Sequence, residues 1–160
     1  MNRWMRTLGS WAGRDADPPD VLLQKATLML VSLLTTLAGL AWSGMYLIQG
    51  QRWAAMVPLG YSVLVGLGMA ILIPAGRYQL FLRSQLSLIL GLPVLMQIVL
   101  GGLEASGGVM VWGFLCPLGA ALFQERRRTR YWFSAYLCCL VVLVVMDPWL
   151  QEHAKPASDA

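Results

Sequence analysis

The chain has 160 residues, 58% of them hydrophobic and only 12% charged, with a mean hydropathy of +0.61. Soluble domains carry about 45–50% apolar and about 25% charged residues, so this chain cannot solvate an outside of its own and its apolar surplus belongs against lipid. The net charge of +4 does not point to nucleic acid, because the twelve basic residues sit mainly at the ends of apolar runs, where they orient a membrane protein. The expected fold class is an all-α integral membrane protein with about five transmembrane helices.

Residues 1–20 read as a cytoplasmic N-terminal segment. Trp4, Leu8 and Trp11 recur at helical spacing among Arg3, Arg6 and Arg14. This suits either a short helix lying in the membrane interface or a basic tail. It does not suit a cleaved signal, which needs a continuous apolar stretch after its charges. Pro18 and Pro19 interrupt any helix from upstream, and Asp20 is placed to cap the next one.

The membrane domain is expected over 21–150. The first span runs from about Ala26 to Ile48, with Trp42 and Tyr46 as interfacial aromatics. A turn at 49–52 leads to a second span, Trp53 to about Pro74, with Pro58 in its first two turns. Gly39 with Ser43, and Gly66 with Ala70, form small-xxx-small pairs of the kind that let helix backbones approach in lipid. A basic connection at 75–83 precedes a third span, about Ser84 to Leu103, which holds Gln85, Gln97 and a kink at Pro93. A glycine-rich loop (102–108) leads to a fourth span, Val109 to Phe123, with Pro117 midway. The polar stop at 124–130 precedes a fifth span from Tyr131 to between Met146 and Leu150, and residues 151–160 form a polar tail.

With the N-terminus inside, ten basic residues lie on the inner side and two, Arg52 and Lys155, on the outer. The positive-inside rule therefore puts the N-terminus in the cytoplasm and the tail outside.

The usual constellations for chemistry are missing. His153 is the one histidine and lies in the tail, so neither haem nor a metal centre has its ligands. No phosphate-binding loop and no serine nucleophile motif occurs. Cys116, Cys138 and Cys139 all lie in apolar stretches and read as packing residues. No cofactor and no catalytic residue is expected. Glu104, the main charge near a span, is either simply solvated or part of a polar patch with Ser106 that Gln97 extends inward, provided the helix persists to Glu104. Gly101, Gly102 and Gly107 would permit a tight turn there, and Pro117 with Gly119 a bent, closely packed helix.

The run 90–123 resembles the membrane anchors of bacterial class III adenylate cyclases, through Gly101, Gly102, Ser106, Gly107, Val109, Trp112, Pro117, Leu118, Gly119, Ala120, Leu122 and Phe123. Cys116 stands where an alanine is usual in those anchors and Leu103 where an aromatic is usual. The similarity extends over about Lys25 to Trp149 and is specific in this one run. It implies a MASE-type sensor or anchor module, in which a six-span bundle precedes a transducer helix and a cytosolic cyclase domain that works as a dimer. Five spans would make this chain an incomplete bundle and a piece of such an enzyme, with no catalytic domain of its own. The expected function is regulatory: anchoring and dimerising the enzyme in the inner membrane and relaying a membrane-borne signal, such as a lipophilic small molecule. Gln97, Glu104, Ser106 and Trp112 are the candidate sensing residues, and Pro93, Gly101, Gly102, Gly107, Pro117 and Gly119 the bending and packing positions. The alternatives are a small transporter or membrane-complex subunit, and a passive dimerising anchor.

Overall fold

A computed structural model describes residues 18–153. The interfacial helix expected near the N-terminus and the end of the tail lie outside these residues. All regular elements among them are helical: α1 (Pro19–Ile48), α2 (Arg52–Leu72), α3 (Tyr78–Leu100), a 3-10 segment (Val109–Phe114) that runs into α4 (Leu115–Phe123), and α5 (Arg126–His153). Four of these, α1, α2, α3 and α5, are long and apolar enough to cross a membrane. The chain forms an all-α, multi-pass membrane bundle.

The remaining crossing, fourth in chain order, is short. Its six 3-10 residues and nine α-helical residues rise by about 2.0 and 1.5 Å each, roughly 25 Å in all, against a hydrocarbon core of roughly 30 Å. The extended 3-10 geometry thus adds about 3 Å of reach to a segment that would otherwise fall shorter still.

Short turns join α1 to α2 and α2 to α3, so these helices alternate in direction. One end of the bundle gathers the basic residues, where Lys25 lies over the Tyr78 ring at 5.6 Å. The Gly101–Gly108 loop marks the other end. α3 is the most buried of the four long helices and touches every other element, whereas α5 is the least buried. The core cluster is built around Phe81, Leu82, Leu86 and Leu90 of α3, with Leu28 and Met29 from α1, Met110 and Cys116 from the fourth crossing, and Tyr136 and Leu143 from α5.

Helix ends depart from the sequence reading. α1 begins at Pro19 with Pro18 as its cap, which places Asp20 inside the first turn rather than at the cap, because proline's fixed φ suits a helix start and its missing N–H has no partner to lose there. The expected connection at 75–83 narrows to a turn at 73–77, and Arg83 lies within α3. α5 likewise takes in Arg126 to Arg130 and runs through the tail to His153. In each case the helix continues past the hydrocarbon, since polar residues end an apolar run without ending a helix.

Of the two small-residue pairs, Gly39 and Ser43 pack as expected. A Cβ on Gly39 would collide with Ser62 Oγ and approach the Pro58 carbonyl to 3.2 Å. Ser43 Oγ donates to the Ala55 carbonyl at 2.9 Å, and Ser62 Oγ donates to the Thr36 carbonyl at 3.0 Å, so hydroxyls bridge α1 and α2 in both directions. A Cβ on Gly66 would meet nothing within 4 Å in this chain, whereas one on Gly68 would meet Phe81 at 3.3 Å.

Candidate functional site

The glycine-rich loop at 101–108 is built on the end of α3. Gly101 adopts φ +88 and ends the helix, the Gly101 amide donating to the Ile98 carbonyl and the Gly102 amide to the Gln97 carbonyl at 2.9 Å, a Schellman closure. The helix therefore does not reach Glu104, and the expected polar patch running from Gln97 through Glu104 and Ser106 does not form. Glu104 is exposed on the loop. Ser106 Oγ turns back to donate to the Leu103 carbonyl at 3.2 Å. Gly107 and Gly108, both at positive φ, end the loop and admit the 3-10 segment.

An acid on α5 clasps this loop. Asp147 Oδ1 accepts the Leu103 amide at 2.5 Å, and its Oδ2 accepts Gln151 Nε2 at 2.8 Å. Gly102 is required beneath it: at φ +115, a Cβ there would lie 2.7 Å from Asp147 Oδ1. The sequence reading overlooked Asp147. A carboxylate in the otherwise apolar run 143–150 was the available signal, since acids at membrane depth are rarely idle.

The 3-10 segment packs tightly on α3 and α5 at Gly113, whose Cβ position would meet Pro93, Met110 and Tyr136, each at 3.3 Å. Phe114 and Tyr136 stack edge-on at 5.8 Å. Pro117 does not bend a helix in mid-course. It lies in the first turn of α4, where amides have no intrahelical acceptor, and marks the change from 3-10 to α geometry. Gly119 brings α4 against Leu86 at 3.2 Å, and α3 runs unbroken through Pro93.

Between α1, α2, α3 and the 3-10 segment lies a cavity of about 270 Å³. Trp42, Pro58, Tyr61, Pro93, Met96 and Trp112 are among its walls, and Trp42 and Trp112 meet edge-on at 6.4 Å and 84°. Its lining is almost wholly apolar. Both of its wall hydroxyls have a protein partner: the Thr35 hydroxyl donates to the Ser32 carbonyl at 3.1 Å, and the Tyr61 hydroxyl accepts Gln85 Nε2 at 3.2 Å.

Of the candidate sensing residues, the structure sets only Trp112 on this cavity, with Pro93 of the bending positions beside it. Gln97 is fully buried outside the lining, and neither of its side-chain polar atoms has a partner. Trp42, Pro58 and Tyr61 were not singled out from sequence for this site, because nothing in a single helix tells which of its residues will meet three others. Among the described residues no group of His, Cys, Asp and Glu could hold a metal ion.

Comparison with protein families, with curated proteins and with solved structures gave no significant match.

Proposed function

We propose that this chain is the regulatory membrane domain of a bacterial class III nucleotide cyclase, holding the enzyme in the inner membrane as a dimer and relaying a membrane-borne signal. The N-terminus is cytoplasmic in this reading, as the basic residues require.

One observation supports the proposal: the anchor-like run contains a six-residue 3-10 segment that leads from the Gly107–Gly108 turn into α4. Such helices rarely exceed 3–4 residues, so a run of six that leads into an α-helix has a second geometry within reach. Conversion of this segment to α geometry would shorten it by about 3 Å and turn its residues relative to α3. The Asp147 clasp and Gly113 contacts would pass that change to α5. A signal acts by preferring one of the two forms, since equal affinity for both shifts nothing.

The test is a fusion of the full chain, followed by one added transmembrane helix that returns the C-terminus to the cytosol, to the cytosolic catalytic domain of a class III cyclase, expressed in membranes and assayed for cyclic AMP. Val111, exposed and β-branched within the 3-10 segment, is replaced by leucine, a better α-helix former. Val111→Leu is expected to change output severalfold at equal expression. Unchanged output from Val111→Leu, together with unchanged output when all spans are exchanged for an unrelated dimeric bundle, would defeat the proposal.

A further inference from the structure

The geometry points to the cavity between α1, α2, α3 and the 3-10 segment as a binding site for one neutral, rigid, ring-containing hydrophobe of about two fused rings. The size follows from volume: an apolar cavity of about 150 Å³ takes benzene, and this one holds about 270 Å³. The charge follows from the walls. No charged side chain lines the cavity and its surface is almost wholly apolar, so an ionic or strongly polar molecule would lose its solvation without replacement.

Rigidity follows from what competes for the space. A lipid acyl chain is already in hydrocarbon, so burial gives it no hydrophobic gain, and entering the cavity costs it rotational freedom. A fused ring system has no such freedom to lose. It also meets the edges and faces of Trp42, Tyr61 and Trp112, whose charge distribution favours ring-to-ring contact. Pro58 and Pro93 complete walls that cannot follow a flexible guest. The site stands on this geometry alone, whatever domain the chain serves.

The experiment uses the full chain in lipid nanodiscs titrated with 2-bromonaphthalene, whose heavy atom quenches nearby indoles. Two of the seven tryptophans, Trp42 and Trp112, border the cavity. Saturable loss of up to about two sevenths of the emission is expected, over a linear background from probe dissolved in lipid. Naphthalene should relieve it and decane should not. Trp42→Phe and Trp112→Phe should each remove part of the saturable fraction. Ala38→Phe, which fills the cavity from α1, should abolish it, with Leu92→Phe as a second filling variant from α3 should the first not fold. Quenching that stays linear in the wild type overturns the site. Relief by decane as strong as by naphthalene overturns the ring preference, and equal quenching by brominated lipid chains that naphthalene leaves intact assigns the space to lipid. Cyclase output is read separately, so saturable binding beside unchanged output of Val111→Leu and of the exchanged bundle would sink the proposed function and spare the site.

Discussion

Substitution of Gly102 by alanine tests the clasp between the loop and α5. At φ +115 a side-chain-bearing residue is strained by about 1–3 kcal/mol. The new Cβ would also stand 2.7 Å from Asp147 Oδ1, so the carboxylate must leave the Leu103 amide. Charge-assisted hydrogen bonds contribute about 1.5–3 kcal/mol, and the lower figure applies to this half-exposed acid. Gly102→Ala should therefore destabilise the bundle by about 2.5–4.5 kcal/mol. In an Asp147→Ala background the collision is gone and only strain remains, about 1–3 kcal/mol. The measurement is reversible unfolding in mixed micelles with rising denaturing detergent, run on both single variants and the double. A coupling near 1.5 kcal/mol is expected. Costs that simply add, within about 0.5 kcal/mol, would show that the two residues do not meet and refute the reasoning.

Three further outcomes are expected. Gly39→Val should separate α1 from α2 and lower stability by about 1–3 kcal/mol, with partial recovery when Ser62→Ala removes the nearest atom, whereas Gly66→Ala should be neutral or mildly stabilising in the same unfolding assay. Gln97→Met keeps the volume and removes two unpartnered polar atoms, so it should stabilise by about 1–3 kcal/mol; a loss of that size would reveal a hydrogen-bond partner in the membrane. In native micelles N-ethylmaleimide should leave Cys116, Cys138 and Cys139 largely unmodified, since the first is buried in the bundle and the other two lie within the membrane-spanning stretch of α5, and should label them on denaturation, as mass spectrometry of tryptic fragments would record.

The bundle was legible in the sequence because lipid imposes a simple rule: length and apolarity alone mark a crossing. The Val109–Phe123 crossing was found by the same rule, but its 3-10 half was not, since apolar runs look alike in either geometry. The Gly39–Ser43 contact was read correctly and Gly66–Ala70 was not, because small residues permit approach without specifying which face a neighbour will take. The polar patch at Glu104 failed on one local fact: Gly101 closes α3 before the acid is reached. The cavity was invisible for a different reason. Its walls come from four separate segments, and voids between helices depend on packing that no single stretch encodes.

The hydrogen bond between Leu103 and Asp147 spans 44 residues of sequence. During synthesis the glycine loop therefore emerges well before the acid that secures it. Until α5 enters the bilayer, the brief fourth crossing is held mainly by α3, with Trp112 against Trp42 of α1, and its own apolar length is marginal for stable insertion. The last long helix thus acts as the latch on biogenesis, fixing in one step both the depth of the segment before it and the shape of the loop above.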